Sequence, residues 1–147
     1  MDGSELSECV LPQLEAIAQG CKVTTVVFVR VIEPLPRPSG EVNVIISDDD
    51  WESMETEKKA SAAAYLDKLI SGISIPGASL RGKILQGRVA ETLAEYAEKN
   101  GVDLIIMATH GRSGVSRWAL GSVADKVMRS SCVPVLMVRA PGCVPGL

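Results

Sequence analysis

Residues 104–123 read LIIMATHGRSGVSRWALGSV, and the reading of this stretch decides the fold. Leu104, Ile105, Ile106, Met107 and Ala108 form an apolar run too short for a helix of its own and long enough for a strand covered on both faces. THGRSG follows, with Gly111 and Gly114 loosening the backbone where the strand ends. Beyond it, Gly121 and Ser122 head a segment whose apolar residues Leu120, Val123, Ala124, Val127 and Met128 recur at helical spacing. Strand, glycine loop and helix therefore follow one another directly. In an open parallel sheet, ligands sit beyond the carboxyl ends of the strands, where backbone N–H groups and a helix N-terminus hold an anion. The stretch reads as a phosphate cradle.

The 147 residues suit one domain able to bury a core. Hydrophobic residues make up 46% and aromatic residues 3%, so the core must be built of Val, Ile, Leu and Ala, as strands covered on both faces require. A net charge of −3 lacks the basic face that a nucleic-acid partner demands. No apolar run approaches the roughly 20 residues of a membrane span, and no charged-then-apolar leader opens the sequence, so a cytoplasmic protein with no membrane partner is expected. Cys9, Cys21, Cys132 and Cys143 lie far apart beside a single histidine, a pattern that supports neither a zinc site nor a disulfide framework. Cys9, Cys21 and Cys132 read as small apolar fillers, and Cys143 as an exposed residue of the PGCVPGL tail.

A helical pattern begins after MDGS with Leu6, Val10, Leu14, Ile17 and Ala18 and closes at Gly20. Asp2 and Ser4 are both able to cap it, and Pro12 predicts a kink inside it. Residues 23–32, VTTVVFVRVI, are dense in β-branched side chains and predict a buried strand. Residues 33–40 form a proline-rich loop, and residues 42–46 leave a short strand and a surface-packed loop equally open. Asp48, Asp49 and Asp50 offer cap chemistry to a helix over residues 51–71 with an apolar stripe through Trp51, Met54, Tyr65, Leu66 and Leu69. Residues 80–85 predict a strand, and residues 89–99 a helix ended by Asn100 and Gly101. Asp103 marks the turn into the opening stretch, Pro134 breaks the last helix, and residues 135–138 form a final strand. The alternation predicts an α/β fold with a doubly wound parallel sheet. Its first helix has no strand to cross over from.

The segment ATHGRSGVSRWALGS, residues 108–122, is similar to the nucleotide-binding pattern of the universal stress protein family: Gly, two residues, Gly, nine residues, Gly, then Ser or Thr. Ala108 stands in the first glycine position, Gly111 in the second, Gly121 in the third, and Ser122 follows. DGSELSE resembles the family's Asp-x-Ser opening, VRVIEP its second strand end, GRVAETLAEYAEKNGVDLII its third helix and fourth strand, and SCVPVLMVR its closing strand. The resemblance implies one universal stress protein domain over residues 1–140 and a flexible tail over residues 141–147. It also implies an adenine nucleotide alpha hydrolase-like sheet of five strands ordered 3-2-1-4-5. In that pattern an apolar strand ending in Val-Asp precedes the DGS segment at the centre of the sheet. This sequence starts at Met1-Asp2, which predicts a sheet whose first, central strand is missing from the chain: by truncation, by a misplaced start codon, or because another segment or subunit fills the place.

The resemblance implies ATP, alone or with Mg or Mn, as the cofactor. The loop from Gly111 to Val123, with Gly111, Arg112, Gly114, Gly121, Ser122 and Val123, would wrap its phosphates, Asp2, Val31 and Gly87 would border adenine and ribose, and Met107 and Ala108 would belong to the same cofactor-binding set. Physical chemistry agrees at the phosphate end. Gly111 and Gly114 permit close backbone approach, the Ser122 and Val123 N–H groups belong to a helix's first turn, and the Ser122 hydroxyl can donate. A helix terminus contributes only about 0.3–1 kcal/mol toward an exposed anion, so Arg112, Arg117 or a divalent ion must share the task. The same residues also have plain structural readings: a tight strand-to-helix connection, Ser122 and Asp2 as helix caps, and Val31 as a core strand end. The Ala108 methyl is harmless on extended backbone, and blocks the site where a ligand touches the Cα or φ is positive. His110 has no nucleophile and orienting carboxylate near it in sequence, so a loop or phosphate-neighbouring role fits it better than catalysis, and no catalytic residue is assigned.

Two functions stay open. One is an ATP-binding stress-response module whose nucleotide shifts dimer or partner contacts, with hydrolysis at most slow because no general base is evident. The other is a stress protein that binds no nucleotide and works through protein contacts, which Ala108 favours. Residues 133–138, with Val133 and Val138 at their ends, form an apolar sheet edge, and the resemblance implies a homodimer there.

Overall fold

The computed structural model describes residues 1–34, 47–109 and 121–139. Helices and strands alternate along them: α1 (Glu5–Glu8), α2 (Leu11–Gly20), β1 (Thr25–Ile32), α3 (Asp48–Ser71), β2 (Ser79–Gln86), α4 (Val89–Lys99), β3 (Ile105–Ala108), α5 (Ser122–Ser130) and β4 (Val135–Val138). β1 pairs in parallel with β2, Thr25 opposite Ser79 and Ile32 opposite Gln86. β3 pairs in parallel with β4, Ile105 opposite Val135 and Ala108 opposite Val138. The fold is thus the expected parallel α/β arrangement. Its two strand pairs correspond to the 3-2 and 4-5 ends of the implied order, and among the described residues no strand joins them.

The β-branched run of β1 points Val26 and Phe28 to one face, where both are buried with Ala18 of α2, Leu66 of α3 and Ile75. Gly82 lets α3 approach β2 closely, since a Cβ there would meet the Leu66 Cβ at 3.3 Å. Leu66 is 1% exposed and sits at the heart of this cluster. On the other side, Ala90 and Ala97 of α4 and Ala124 and Val127 of α5 are buried, small side chains that let the two helices pack together. α4 also packs on β1 and β2, and α5 on β4, so the α4–α5 layer spans both strand pairs.

Several local expectations change. The first helix is not one kinked rod but two helices, α1 capped by Ser4 and α2 with Pro12 in its first turn. A first-turn residue needs no N–H for the helix ladder, so the proline opens α2 and bends nothing. Asp2 does not cap the helix directly; it accepts from the Ser4 N–H at 2.9 Å and from the Ser4 hydroxyl at 2.7 Å. The long helix starts at Asp48 because Ser47 caps it, accepting from the Asp50 N–H at 3.1 Å. α5 stops at Ser130, before Pro134 could break it. Cys21 and Cys132 are exposed and Cys9 half-buried, so none fills the core; the Cys9 thiol lies 4.0 Å from the Arg139 carbonyl oxygen. Residues 42–46, the tail over residues 141–147 and Cys143 lie outside the described residues.

Candidate functional site

The carboxyl ends of β1, β2 and β3 and the amino end of α5 carry the described members of the expected site. Val31 is half-buried next to the last residue of β1. Gly87 follows β2 with φ +140°, and its N–H donates to the Ile32 carbonyl at 3.1 Å, which ties the end of β2 to that of β1. That φ belongs to glycine, so the turn requires the residue found there. Met107 and Ala108 close β3, both half-buried. Ala108 is extended and paired opposite Val138; among the described residues the non-glycine at positive φ is Lys22. The methyl in the first glycine position therefore carries no backbone strain.

At the amino end of α5, Gly121 is the N-cap, with φ −54° and ψ 141°, and has no side chain to offer the first-turn N–H groups. Helical bonding starts with the Asp125 N–H donating to the Gly121 carbonyl at 2.9 Å. Ser122 and Val123, both exposed, thus hold first-turn N–H groups with no intrahelical acceptor. Ser122 lies inside the helix and is not its cap, which corrects one of its two readings. The Gly121 N–H donates to the Thr109 carbonyl at 2.9 Å, joining the end of β3 to the start of α5 and making a neck for the connection between them. Gly111, Arg112, Gly114, His110 and Arg117 belong to that connection and lie outside the described residues.

Asp2 opens the other side. Met1 reaches β1 by a 2.7 Å bond from its nitrogen to the Val29 carbonyl, and Gly3 turns at φ +85° with the Arg30 guanidinium packed against it. Arg30 lies over the Tyr65 ring, 5.4 Å from its centroid, and the Tyr65 hydroxyl donates to Glu8 Oε1 at 2.8 Å. This support was not anticipated for the DGS segment. Its trace in the sequence is Arg30 itself, a charge set in the apolar run VVFVRVI. Among the described residues no group of His, Cys, Asp and Glu side chains could hold a metal ion, and no helix is long and apolar enough to cross a membrane.

Parallel strand pairs flanked by helices, with a glycine-capped helix held at a strand's carboxyl end, are the arrangement of the doubly wound α/β folds. The model of the universal stress protein family matches residues 1–139, and the chain belongs to that family. Universal stress protein MJ0531 of Methanocaldococcus jannaschii is 34% identical over 95 residues, which cover 65% of this chain and 56% of that protein. The matched segment thus spans little more than half of that relative. Universal stress protein MJ0577 of the same organism is 26% identical over 94% of this chain and 90% of its own length. Its solved structure superimposes with a TM-score of 0.76 at 24% identity, covering 95% of this chain and 93% of that one. A universal stress protein in complex with cAMP has a TM-score of 0.59 at 20% identity, covering 95% of this chain and 92% of its own. The Arabidopsis thaliana family member At3g01520 with AMP bound has a TM-score of 0.61 at 16% identity, over 93% of this chain and 80% of its own. At these identities the likeness shows the fold.

Proposed function

We propose that the chain binds ATP and acts as a nucleotide-dependent stress-response module, with the phosphates at the amino end of α5 and adenine and ribose against Asp2, Val31 and Gly87. The observation that carries the reading is the bond between Gly121 and Thr109, which holds a helix N-terminus with no side-chain cap bond against the carboxyl end of β3. Gly111, Arg112 and Gly114 complete the phosphate side from the connecting loop, and Mg or Mn shares the charge that a helix terminus alone holds weakly. The adenine nucleotides in the two ligand-bound relatives support the same chemistry. Hydrolysis is at most slow, since no residue is assigned as general base.

Two copies join through the outer edge of β4. The seam is narrower than residues 133–138, because Ser131 Oγ accepts from the Val133 N–H at 3.2 Å and donates to the Val133 carbonyl at 3.0 Å. Val135 and Met137 remain to pair, because β4 turns the Pro134 and Val138 carbonyls to β3 and the alternate residues outward.

Calorimetric titration with ATP and magnesium tests the site. Gly121→Val keeps an allowed backbone, since φ at that position is negative, and costs the helix about 1 kcal/mol as a poorer cap. Heat with the native chain and at least roughly tenfold weaker binding by the folded variant is the expected pair of results. Unchanged affinity in the variant moves the phosphates elsewhere. No heat with the native chain favours the second reading, a module working through protein contacts, to which Ala108 points.

A further inference from the structure

Of the three residues proposed to border adenine and ribose, two are held by backbone. Val31 lies in β1, and the Gly87 N–H bonds to the Ile32 carbonyl at 3.1 Å. The place of Asp2 depends on a side chain. Gly3 turns the chain directly after it at φ +85°, and a Cβ on Gly3 would meet Nη1 of Arg30 at 3.2 Å and its Cζ and Nη2 at 3.5 Å. Such nearly equal distances put the flat face of the guanidinium on the turn. Arg30 stands two residues past Phe28 and so projects from β1 toward α3, where its Cζ lies 5.4 Å from the centre of the Tyr65 ring. The ring is fixed in turn by its hydroxyl, which donates to Glu8 Oε1 of α1 at 2.8 Å. Asp2, Glu8, Arg30 and Tyr65 are all half-buried. Burial first, then Glu8 and last the charge of Asp2 raise the Tyr65 hydroxyl, so the Asp2 carboxylate belongs to the same electrostatic group.

We propose that Arg30 is a positioning residue for the nucleoside half of the site: stacked on the Tyr65 ring and against Gly3, it fixes the turn that places the Asp2 carboxylate before a nucleoside donor, given the place at adenine and ribose proposed for Asp2. An ionised carboxylate only accepts hydrogen bonds, so what it recognises on a nucleoside is a ribose hydroxyl or the adenine amino group. A shift of about 1 Å at the accepting oxygen ends such a bond, which is why the turn has to be held. Arg30 acts on the nucleotide only through Asp2. Lysine cannot replace it, because an ammonium keeps the charge over the Tyr65 ring but has no plane to lay on Gly3. A backbone bond at Met1, to the Val29 carbonyl, keeps the segment on the sheet when the guanidinium is removed. Loss of Arg30 therefore frees the aim of Asp2 and not its attachment.

The test titrates the full native chain, Asp2→Ala, Arg30→Met and the double variant with ATP and magnesium, and then with magnesium and tripolyphosphate, which has phosphates and no nucleoside. Asp2→Ala and Arg30→Met should each weaken ATP at least roughly fivefold. The double variant should bind no more weakly than Asp2→Ala alone, because Arg30 acts through Asp2. Tripolyphosphate should give the same titration with all of these chains. Arg30→Lys keeps the stem and the charge, and should also lose at least roughly threefold in ATP affinity; it is the second variant where Arg30→Met does not fold. Native affinity in both Arg30 variants beside weakened ATP in Asp2→Ala overturns the positioning role and leaves the nucleoside place of Asp2 intact. A further loss in the double variant, or a loss that extends to tripolyphosphate, overturns it as well, because Arg30 would then act other than through Asp2. No heat from ATP with the native chain, or unaltered affinity in Asp2→Ala, removes the proposed nucleoside place itself, and the positioning role falls with it.

Discussion

The Tyr65 hydroxyl of α3 donates to Glu8 Oε1 of α1 across 2.8 Å, joining two helices whose residues stand 57 positions apart in sequence. Burial first, and then the bond and charge of Glu8, push the Tyr65 hydroxyl from its ordinary value of 10.0 up to about 12. The folded chain therefore keeps this proton at pH values where the unfolded chain has released it. The resulting stability is fully present below pH 10.0 and is lost as pH rises toward about 12.

Tyr65→Phe removes both the bond and this pH dependence. Near neutrality the variant should be less stable by about 1 kcal/mol, the net value of one hydrogen bond at a half-exposed position. Between the two pKa values its deficit should shrink, because the native chain alone is losing stability from this group. Urea midpoints at neutral and alkaline pH read the difference. Ultraviolet titration of tyrosinate, native minus variant, should show one group ionising near 12. A difference curve centred at 10.0 would mean that Glu8 does not hold the proton.

Gly87 carries the second prediction. A Cβ there would come within 2.5 Å of Thr92 Oγ1, and φ is +140°, so an alanine meets both a steric and a backbone obstacle. Gly87→Ala should cost about 2–4 kcal/mol, and about 1–2 kcal/mol in a Thr92→Ala background, where only the backbone strain remains. Denaturant unfolding of the four chains measures the coupling. Equal costs in the two backgrounds would exonerate the hydroxyl.

How far the sequence could be read follows from these cases. α4 and β4 were legible residue for residue, since Ala90, Leu93, Ala94 and Ala97 set a clear helical period and Pro134 marks where β4 can begin. The break between α1 and α2 was not, because a proline reads the same whether it kinks a helix or opens one; the decision lies in the Ser4 cap and the turn at Cys9 and Val10. Of the glycines singled out by their spacing, Gly121 lies among the described residues, and it opens α5 as its N-cap. The support of the DGS segment was not legible, because Arg30, Tyr65 and Glu8 meet only after β1, α1 and α3 have packed. The exposure of Cys21 and Cys132 is illegible for a similar reason: whether a small apolar side chain beside a helix end or a turn is covered depends on what the fold packs there, and among the described residues both stay exposed.

Ala108 separates the geometry of β3 from the chemistry of the site. Its backbone is extended and its partner is Val138, so a glycine restored there relieves no strain and instead weakens a strand by about 0.5–1 kcal/mol. Ala108→Gly should therefore lower the unfolding midpoint slightly. If ATP sits as proposed, on the N-terminus of α5 beyond Thr109, the methyl lies behind the nucleotide, and affinity should stay within roughly threefold of the native chain. Calorimetry on the two chains decides. A gain of roughly tenfold or more would mean that the methyl stands in the nucleotide's own space, and that the chain carries a partly closed form of the cradle.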